Sequence, residues 1–368
     1  MSDQKDLIQS TISVVKVSVI IPVHNGELFL NDCLESIQNQ TLTGSECNLT
    51  VEVSIFDDGS TDTTGAIIQQ WVEIFSKLNA FSLVTSRNSD GKPKGVGFAK
   101  NRAVEQSTGE YLCFCDADDV MEPTRIVEQF KAAVKNKDAI IGSRFTRLPS
   151  DSTKNFTCWA NNLTDKQLYT QIFQSFGPTL VMPTWFCHRN VFERVEMGFH
   201  EGGAGVPEDL IFFYKHLNLG GMLQRVDDSL MVYRYHPNAT TFSIKEETIW
   251  ETRLNQFQQD ILSLPAWSRF SIYGAGKLGR RFFRSLRADV QNQVQQFCDI
   301  DPKKVQQKRY EPYPNPKKFK IPIVHYEDSK GPYVVCIKTE FTWDSENPFQ
   351  KLVQQKDLIE GQDFFYFN

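Results

Sequence analysis

The sequence predicts an α/β protein in two parts: a larger domain with a mainly parallel sheet, followed by a smaller Rossmann-like α/β domain. Three observations predict it. From Val17 to Asn136, short β-branched runs alternate with stretches whose apolar residues recur at helical spacing. A second strand–turn–helix pattern opens at Arg269. The charge is divided as well: residues 265–368 hold 17 Lys and Arg against 12 Asp and Glu, whereas the whole 368-residue chain has 40 against 45. The expected domains are therefore 1–264 and 265–368.

Val17–Pro22 is the kind of β-branched run that fills a fully buried parallel strand. Leu28–Asn39 follows as a helix, with Leu30, Cys33, Leu34 and Ile37 on one face. Val51–Phe56 is the next strand and ends in Asp57-Asp58-Gly59-Ser60. Thr64–Leu78 is a second amphipathic helix and Phe81–Thr85 a third strand. Ser86–Gly97 is polar and glycine-rich, hence a loop. Phe98–Gln106 reads as helix, Tyr111–Cys115 as strand, and Pro123–Asn136 as a helix with proline in its first turn.

Beyond residue 265, the strand Arg269–Tyr273 enters Gly274-Ala275-Gly276-Lys277-Leu278-Gly279 and a helix running to Leu286. This is a GxGxxG fingerprint in strand–turn–helix context. Its glycines permit a tight turn and close helix–sheet packing with or without a dinucleotide. Val294–Cys298 is a strand ending in Asp299-Ile300-Asp301, and Val334–Ile337 and Phe364–Phe367 are further short strands.

No window of about 18 apolar residues occurs, which excludes a transmembrane helix. The start, MSDQKDLIQS, lacks the basic-then-apolar pattern of a secretory signal. The 8 cysteines are scattered without a CxxC pair, which argues against zinc and for reduced thiols. The expectation is a cytoplasmic protein.

In parallel sheets ligands gather at the carboxyl ends of strands. Asp57-Asp58 and Asp116-Ala117-Asp118-Asp119 lie at two such ends. Adjacent carboxylates repel one another and call for a cation or a donor network. An all-oxygen cluster suits a hard divalent metal, Mn or Mg.

The segments VSVIIPVHN, DDGSTD and KNRAVEQSTGEYLCFCDADD, then Glu208-Asp209, resemble inverting family-2 glycosyltransferases of the GT-A fold over roughly residues 15–245. The resemblance implies a nucleotide-sugar bound across the first half of the sheet. Pro22 and Val23 would border the nucleotide, Asp58 would accept a hydrogen bond from uracil, and Lys92 or Lys94 would approach the diphosphate. Asn101 and Arg102 would lie near the donor. Asp116-Ala117-Asp118 would be the DxD motif, one carboxylate meeting the ribose while Asp118 helps hold the metal. Glu208 and Asp209 would be the catalytic pair, with the aspartate as general base. Tyr233-Arg234-Tyr235-His236 resembles the family's late Tyr-Arg-x-His segment, which implies a place for His236 near the diphosphate or metal.

With IYGAGKLGRR, FCDIDPKK, IPIVH, VVCIK and EGQDFFYFN following, the whole chain resembles the enzymes that transfer galactose from UDP-galactose to queuosine in tRNA(Tyr). That resemblance implies an acceptor hydroxyl on the cyclopentenediol and a β-galactosyl-queuosine product. It also gives the basic part a use. Lys277, Arg280, Arg281, Arg284, Lys303 and Lys304 would meet tRNA phosphates, and Trp185 would stack on a splayed anticodon base. The alternative is a UDP-N-acetylglucosamine-dependent transferase acting on a glycan or other cytosolic acceptor.

Overall fold

A strand flanked on both sides by other strands and covered on both faces must be apolar throughout. The run VVKVSVIIPV meets that demand: β1 (Val14–Val23) is exposed only at its start and buried over its last seven residues. In this computed structural model, which describes residues 14–43, 48–174, 177–237, 244–312, 320–338 and 347–368, β1 is central. Around it lie β2 (Asn48–Asp57), β3 (Phe81–Arg87), β4 (Tyr111–Phe114), β5 (Val120–Met121), β6 (Ala139–Leu148), β7 (Phe186–His188) and β8 (Met222–Arg234). The strand order is β3-β2-β1-β4-β7-β6-β8-β5. Strands β3, β2, β1 and β4 pair in parallel, β7 runs antiparallel to both its neighbours, and β6 and β8 are parallel to each other.

The helices are those the apolar spacing predicts, with slightly different ends. Leu30–Gln38 buries Leu30, Cys33, Leu34 and Ile37, and Thr64–Phe75 buries Ile67, Ile68, Trp71 and Phe75. Val96–Glu105 begins two residues before the expected Phe98. The helix after β5 spans Arg125–Lys135 with Thr124 as its N-cap, so Pro123 precedes its first turn rather than lying in it.

The chain forms two compact units, Met1–Ser152 with Leu180–Thr240, and Thr153–Thr179 with Thr241–Asn368. The helix Glu246–Asp260 and the stretch before Leu180 thus fall in the second unit, although both precede residue 265. Aromatic packing within that unit accounts for it: the Phe257 ring lies 4.8 Å from Phe173 and 5.3 Å from Phe367. Its sheet contains β9 (Phe270–Tyr273), β10 (Val294–Asp299), β11 (Arg309–Tyr310), β12 (Ile321–His325), β13 (Tyr333–Val335) and β14 (Phe364–Tyr366), ordered β11-β12-β10-β9-β13-β14. All its pairs are parallel except β11 with β12, a Rossmann-like arrangement. Among the described residues no helix is long and apolar enough to cross a membrane.

Candidate active site

The order β3-β2-β1-β4 reverses direction between β1 and β4, which opens a crevice at their carboxyl ends. Pro22 and Val23 end β1 and are buried. Asp58, just past β2, is 2% exposed and its carboxylate is engaged. Asn88 Nδ2 donates to Oδ1 at 2.9 Å, and the backbone amides of Lys94 and Gly95 donate to Oδ2 at 2.8 and 2.7 Å. The residue expected beside the nucleobase here anchors the loop that returns from β3. The Lys94 ammonium pairs with Asp90 and sits 4.8 Å from the Phe98 ring centroid.

The loop after β4 brings Asp116, Asp118 and Asp119 together, with a carboxylate oxygen of each within 4.8 Å of the others. Asp119 is fully buried. The Arg234 amide donates to its Oδ1 at 2.8 Å, while its Oδ2 has no hydrogen-bond partner among the described residues. The Arg234 guanidinium donates to the carbonyl of Asp118 at 2.8 Å and to Asp32 at 2.9 Å, so the end of β8 clasps the acidic loop. His236 Nε2 lies 2.7 Å from Asp118 Oδ2, and its ring is 4.8 Å from that of Phe29.

Burial and the charges of its neighbours hold the carboxyl of Asp119 well above the usual carboxylate range. Burial raises Asp116 to about 6, with Lys100 opposing and Asp118 and Glu208 assisting. An orphaned buried oxygen within a three-carboxylate cluster fits a hard divalent cation.

Facing this cluster is the N-terminus of the helix Glu208–Asn218. Glu208 is buried and bound at 2.9 Å by the ammonium of Lys100, which also lies 3.9 Å from Asp116. Asp209 is half-buried; its Oδ1 accepts from the Leu210 amide at 2.7 Å. Burial and the neighbouring Glu208 push its pKa up to about 7, against the pull of Lys100. A carboxylate near neutrality at the mouth of a crevice has the proton affinity of a working general base. Lys100 carries no mark in the sequence, because a lysine within KNRAVEQ reads as one more helical surface cation. Only its place beside Ala99, Ala103 and Val104 on the buried face of that helix hints otherwise.

The neighbours of Lys100 have other partners than a donor. Asn101 holds the segment 197–201: its Nδ2 donates to the Phe199 carbonyl at 2.9 Å and Glu201 at 2.8 Å, and its Oδ1 accepts from the Phe199 amide. Arg102 pairs with Glu201 and Glu105. Trp185 corrects the expectation of a base-stacking residue. It is 1% exposed, donates its indole N–H to the Leu180 carbonyl, and packs against Phe212 and Phe213. A ring enclosed on its faces has none left for a base.

Residues 18–195 match the family described as glycosyl transferase family 2. Most of that match lies within the first unit, whose fold is that of the GT-A glycosyltransferases. Among curated relatives, the chain is 30% identical over 239 residues to the putative glycosyltransferase EpsH of Bacillus subtilis, covering 65% of this chain and 61% of that protein. It is 24% identical over 266 residues to the uncharacterized glycosyltransferase EpsJ of the same organism, covering 71% and 72% respectively. In fold it is similar to Staphylococcus aureus TarS 1–349 in complex with UDP-GlcNAc, with a TM-score of 0.50 at 18% identity over 76% of this chain and 84% of that one.

In the second unit, the fingerprint glycines serve the backbone. Gly274 has φ +103°, and a Cβ there would meet the Cys336 carbonyl oxygen at 2.6 Å; one at Gly279 would meet that of Gly274 at 2.0 Å. Asp299, at the end of β10, accepts from the Ala275 amide at 2.8 Å and the Lys304 ammonium at 3.0 Å. The cations expected to meet phosphate divide accordingly. Arg280 donates to the Ala275 carbonyl and to Gln307, and Arg281 pairs with Glu246 over the Trp250 ring. Arg284 is exposed and donates to the Tyr310 hydroxyl at 3.3 Å. Lys277 and Lys303 are exposed, and the Lys277 charge helps lower the Glu246 pKa.

Proposed function

We propose that this protein is an inverting glycosyltransferase that moves galactose from UDP-galactose to the cyclopentenediol of queuosine in tRNA(Tyr), forming β-galactosyl-queuosine. The observation that carries the reaction type is Asp209. It is a carboxylate poised near neutrality on the first turn of a helix, close enough to the Asp116 cluster for their charges to interact. In the reaction Asp209 takes the proton of the acceptor hydroxyl as that oxygen attacks the anomeric carbon. The bond from that carbon to the diphosphate breaks on the opposite face, so the configuration inverts and UDP leaves.

Asp116, Asp118 and Asp119 would hold a divalent metal, with His236 against Asp118. A bound Mn2+ or Mg2+ supplies charge neutralisation for the departing diphosphate. The acceptor reading draws on the order of motifs along the whole chain and on the exposed cations of the second unit. Incubation with UDP-galactose and purified queuosine-containing tRNA(Tyr) tests it. A hexose mass increment on queuosine supports the reading; an unmodified nucleoside with release of UDP only to water rejects it.

A second reading is transfer from UDP-N-acetylglucosamine to a glycan or other acceptor. The UDP-GlcNAc bound in the similar TarS structure supports it. The same incubation with that donor and a glycan panel distinguishes the two.

A further inference from the structure

Lys100 is 3% exposed, so its ammonium has almost no surface with which to reach a ligand. It lies between the two halves of the site instead. Its Nζ is 2.9 Å from Glu208 Oε1, 3.9 Å from Asp116 Oδ1 and 5.4 Å from the Phe199 ring centroid. Asp116 begins the acidic loop after β4, and Glu208 immediately precedes the base Asp209. The helix that carries Lys100 is pressed onto this second segment. A Cβ on Gly97 would meet the His200 carbonyl oxygen at 2.2 Å and Glu208 Cβ at 3.2 Å, and Asn101 binds the backbone of Phe199 on both its N–H and C=O.

We propose that Lys100 is a positioning residue, a buried cation that fixes the Asp209-bearing helix start against the acidic loop through simultaneous contact with Glu208 and Asp116. This rests on the function proposed above. The electrostatics require such a cation: Asp116, Glu208 and Asp209 are close enough to repel, and all three act on the charge of Lys100. Lys100 is the cation whose contacts reach both the helix start that carries the base and the acidic loop. Lys100 touches neither the sugar nor the proton in transit; its effect is on the distance that the acceptor oxygen must bridge.

The test compares wild type, Lys100→Met and Lys100→Arg. The measurements are UDP release from UDP-galactose and from UDP-N-acetylglucosamine, with and without queuosine tRNA, and calorimetric titration of UDP with Mn2+. Displacement of the base predicts about a 100-fold loss of kcat in Lys100→Met, with UDP affinity and donor KM within about threefold of wild type. Lys100→Arg, which keeps the charge, recovers most of the lost kcat. Unchanged kcat in Lys100→Met overturns the proposal. So does loss of UDP affinity in step with kcat, because Lys100 would then belong to the donor site or to the fold at large. Failure of arginine to restore turnover in a variant that melts like wild type also overturns it. Hydrolytic release of UDP needs no tRNA, so failure of the acceptor reading leaves this measurement standing.

Discussion

His236 Nε2 lies 2.7 Å from Asp118 Oδ2, and this contact joins the chain just past β8 to the acidic loop after β4. Arg234, two residues earlier, binds the same loop through its own amide and guanidinium, so the histidine approaches on a strand end that is already fixed. The contact orients Asp118 toward the other two carboxylates. Removing it should act on metal affinity first. His236→Ala is expected to weaken Mn2+ binding in the presence of UDP by about 10- to 100-fold, as losses of partners to ligating groups do. Asp118→Ala should abolish both Mn2+ binding and sugar transfer. Calorimetric titration of Mn2+ checks both, and an unchanged affinity in His236→Ala removes the histidine from the metal site.

As the proposed general base, Asp209 would act in its ionised form, so its raised pKa has a direct kinetic consequence. Turnover should climb with pH through about 7 and level off above it. Asp209→Asn keeps the shape of the side chain but cannot take a proton. Its kcat is expected to fall by about 10²–10⁴-fold with UDP affinity little changed. Near-normal turnover in that variant would end the assignment of the base.

The same carboxylates set how stability responds to pH. Asp116 and Asp209 titrate near 6 and 7 in the folded protein against an ordinary value of 3.8, and Asp119 is raised as well. Between the ordinary value and the raised ones, the folded state binds more protons than the unfolded state. Stability of the metal-free protein therefore falls as pH rises across that window. A divalent cation reverses the trend, because it favours the ionised carboxylates and displaces their protons. Melting curves with and without Mn2+ should show a larger stabilisation at pH 7.5 than at pH 5.5. Equal shifts at both values would separate the metal from these groups.

Trp185 belongs to the core, and its substitution should be read in stability. Truncating a large aromatic that is 1% exposed leaves a cavity among Phe199, Phe212 and Phe213. Trp185→Ala is expected to cost about 3–5 kcal/mol in chemical denaturation. Trp185→Phe retains most of the packing and should bind tRNA as wild type does. A selective loss of tRNA binding in Trp185→Phe, without a loss of stability, would return the residue to the acceptor site.

What could be read in the sequence was what local pattern alone determines. The runs that became β1 and β2 are apolar because both their faces are covered, and the Asp-rich turns after β2 and β4 follow from where those strands stop. The antiparallel side of the first sheet is less legible. β7 is three residues long and takes its place only by pairing with both β4 and β6, which are distant in sequence. Lys100 and Trp185 fail for a related reason. Whether a lysine is a surface charge or a buried link, and whether a tryptophan faces a ligand or a core, is decided by residues 14 to 108 positions away. Asn101 and Arg102 sit at matching motif positions, yet their hydrogen bonds go to the segment 197–201, which no spacing rule connects to them.

The second unit offers its cations unequally to a polyanion. Lys304 is bound to the buried carboxylate of Asp299, which also caps the Ala275 amide, and Arg281 is paired with Glu246. Lys277 and Lys303 are exposed. Under the proposed function, RNA phosphates would meet the second pair, each contact displacing counterions from the backbone. Lys277→Glu with Lys303→Glu is expected to weaken tRNA binding, to lower the salt dependence of the affinity by about one unit of slope per lost contact, and to leave hydrolysis of the sugar nucleotide intact. Lys304→Glu should behave differently, since it sets two carboxylates against each other beside the glycine-rich turn and so lowers the melting temperature. Filter binding over a range of salt concentrations checks the first pair, and thermal melts check Lys304. If the double variant binds tRNA as wild type does at every salt concentration, this face does not contact RNA.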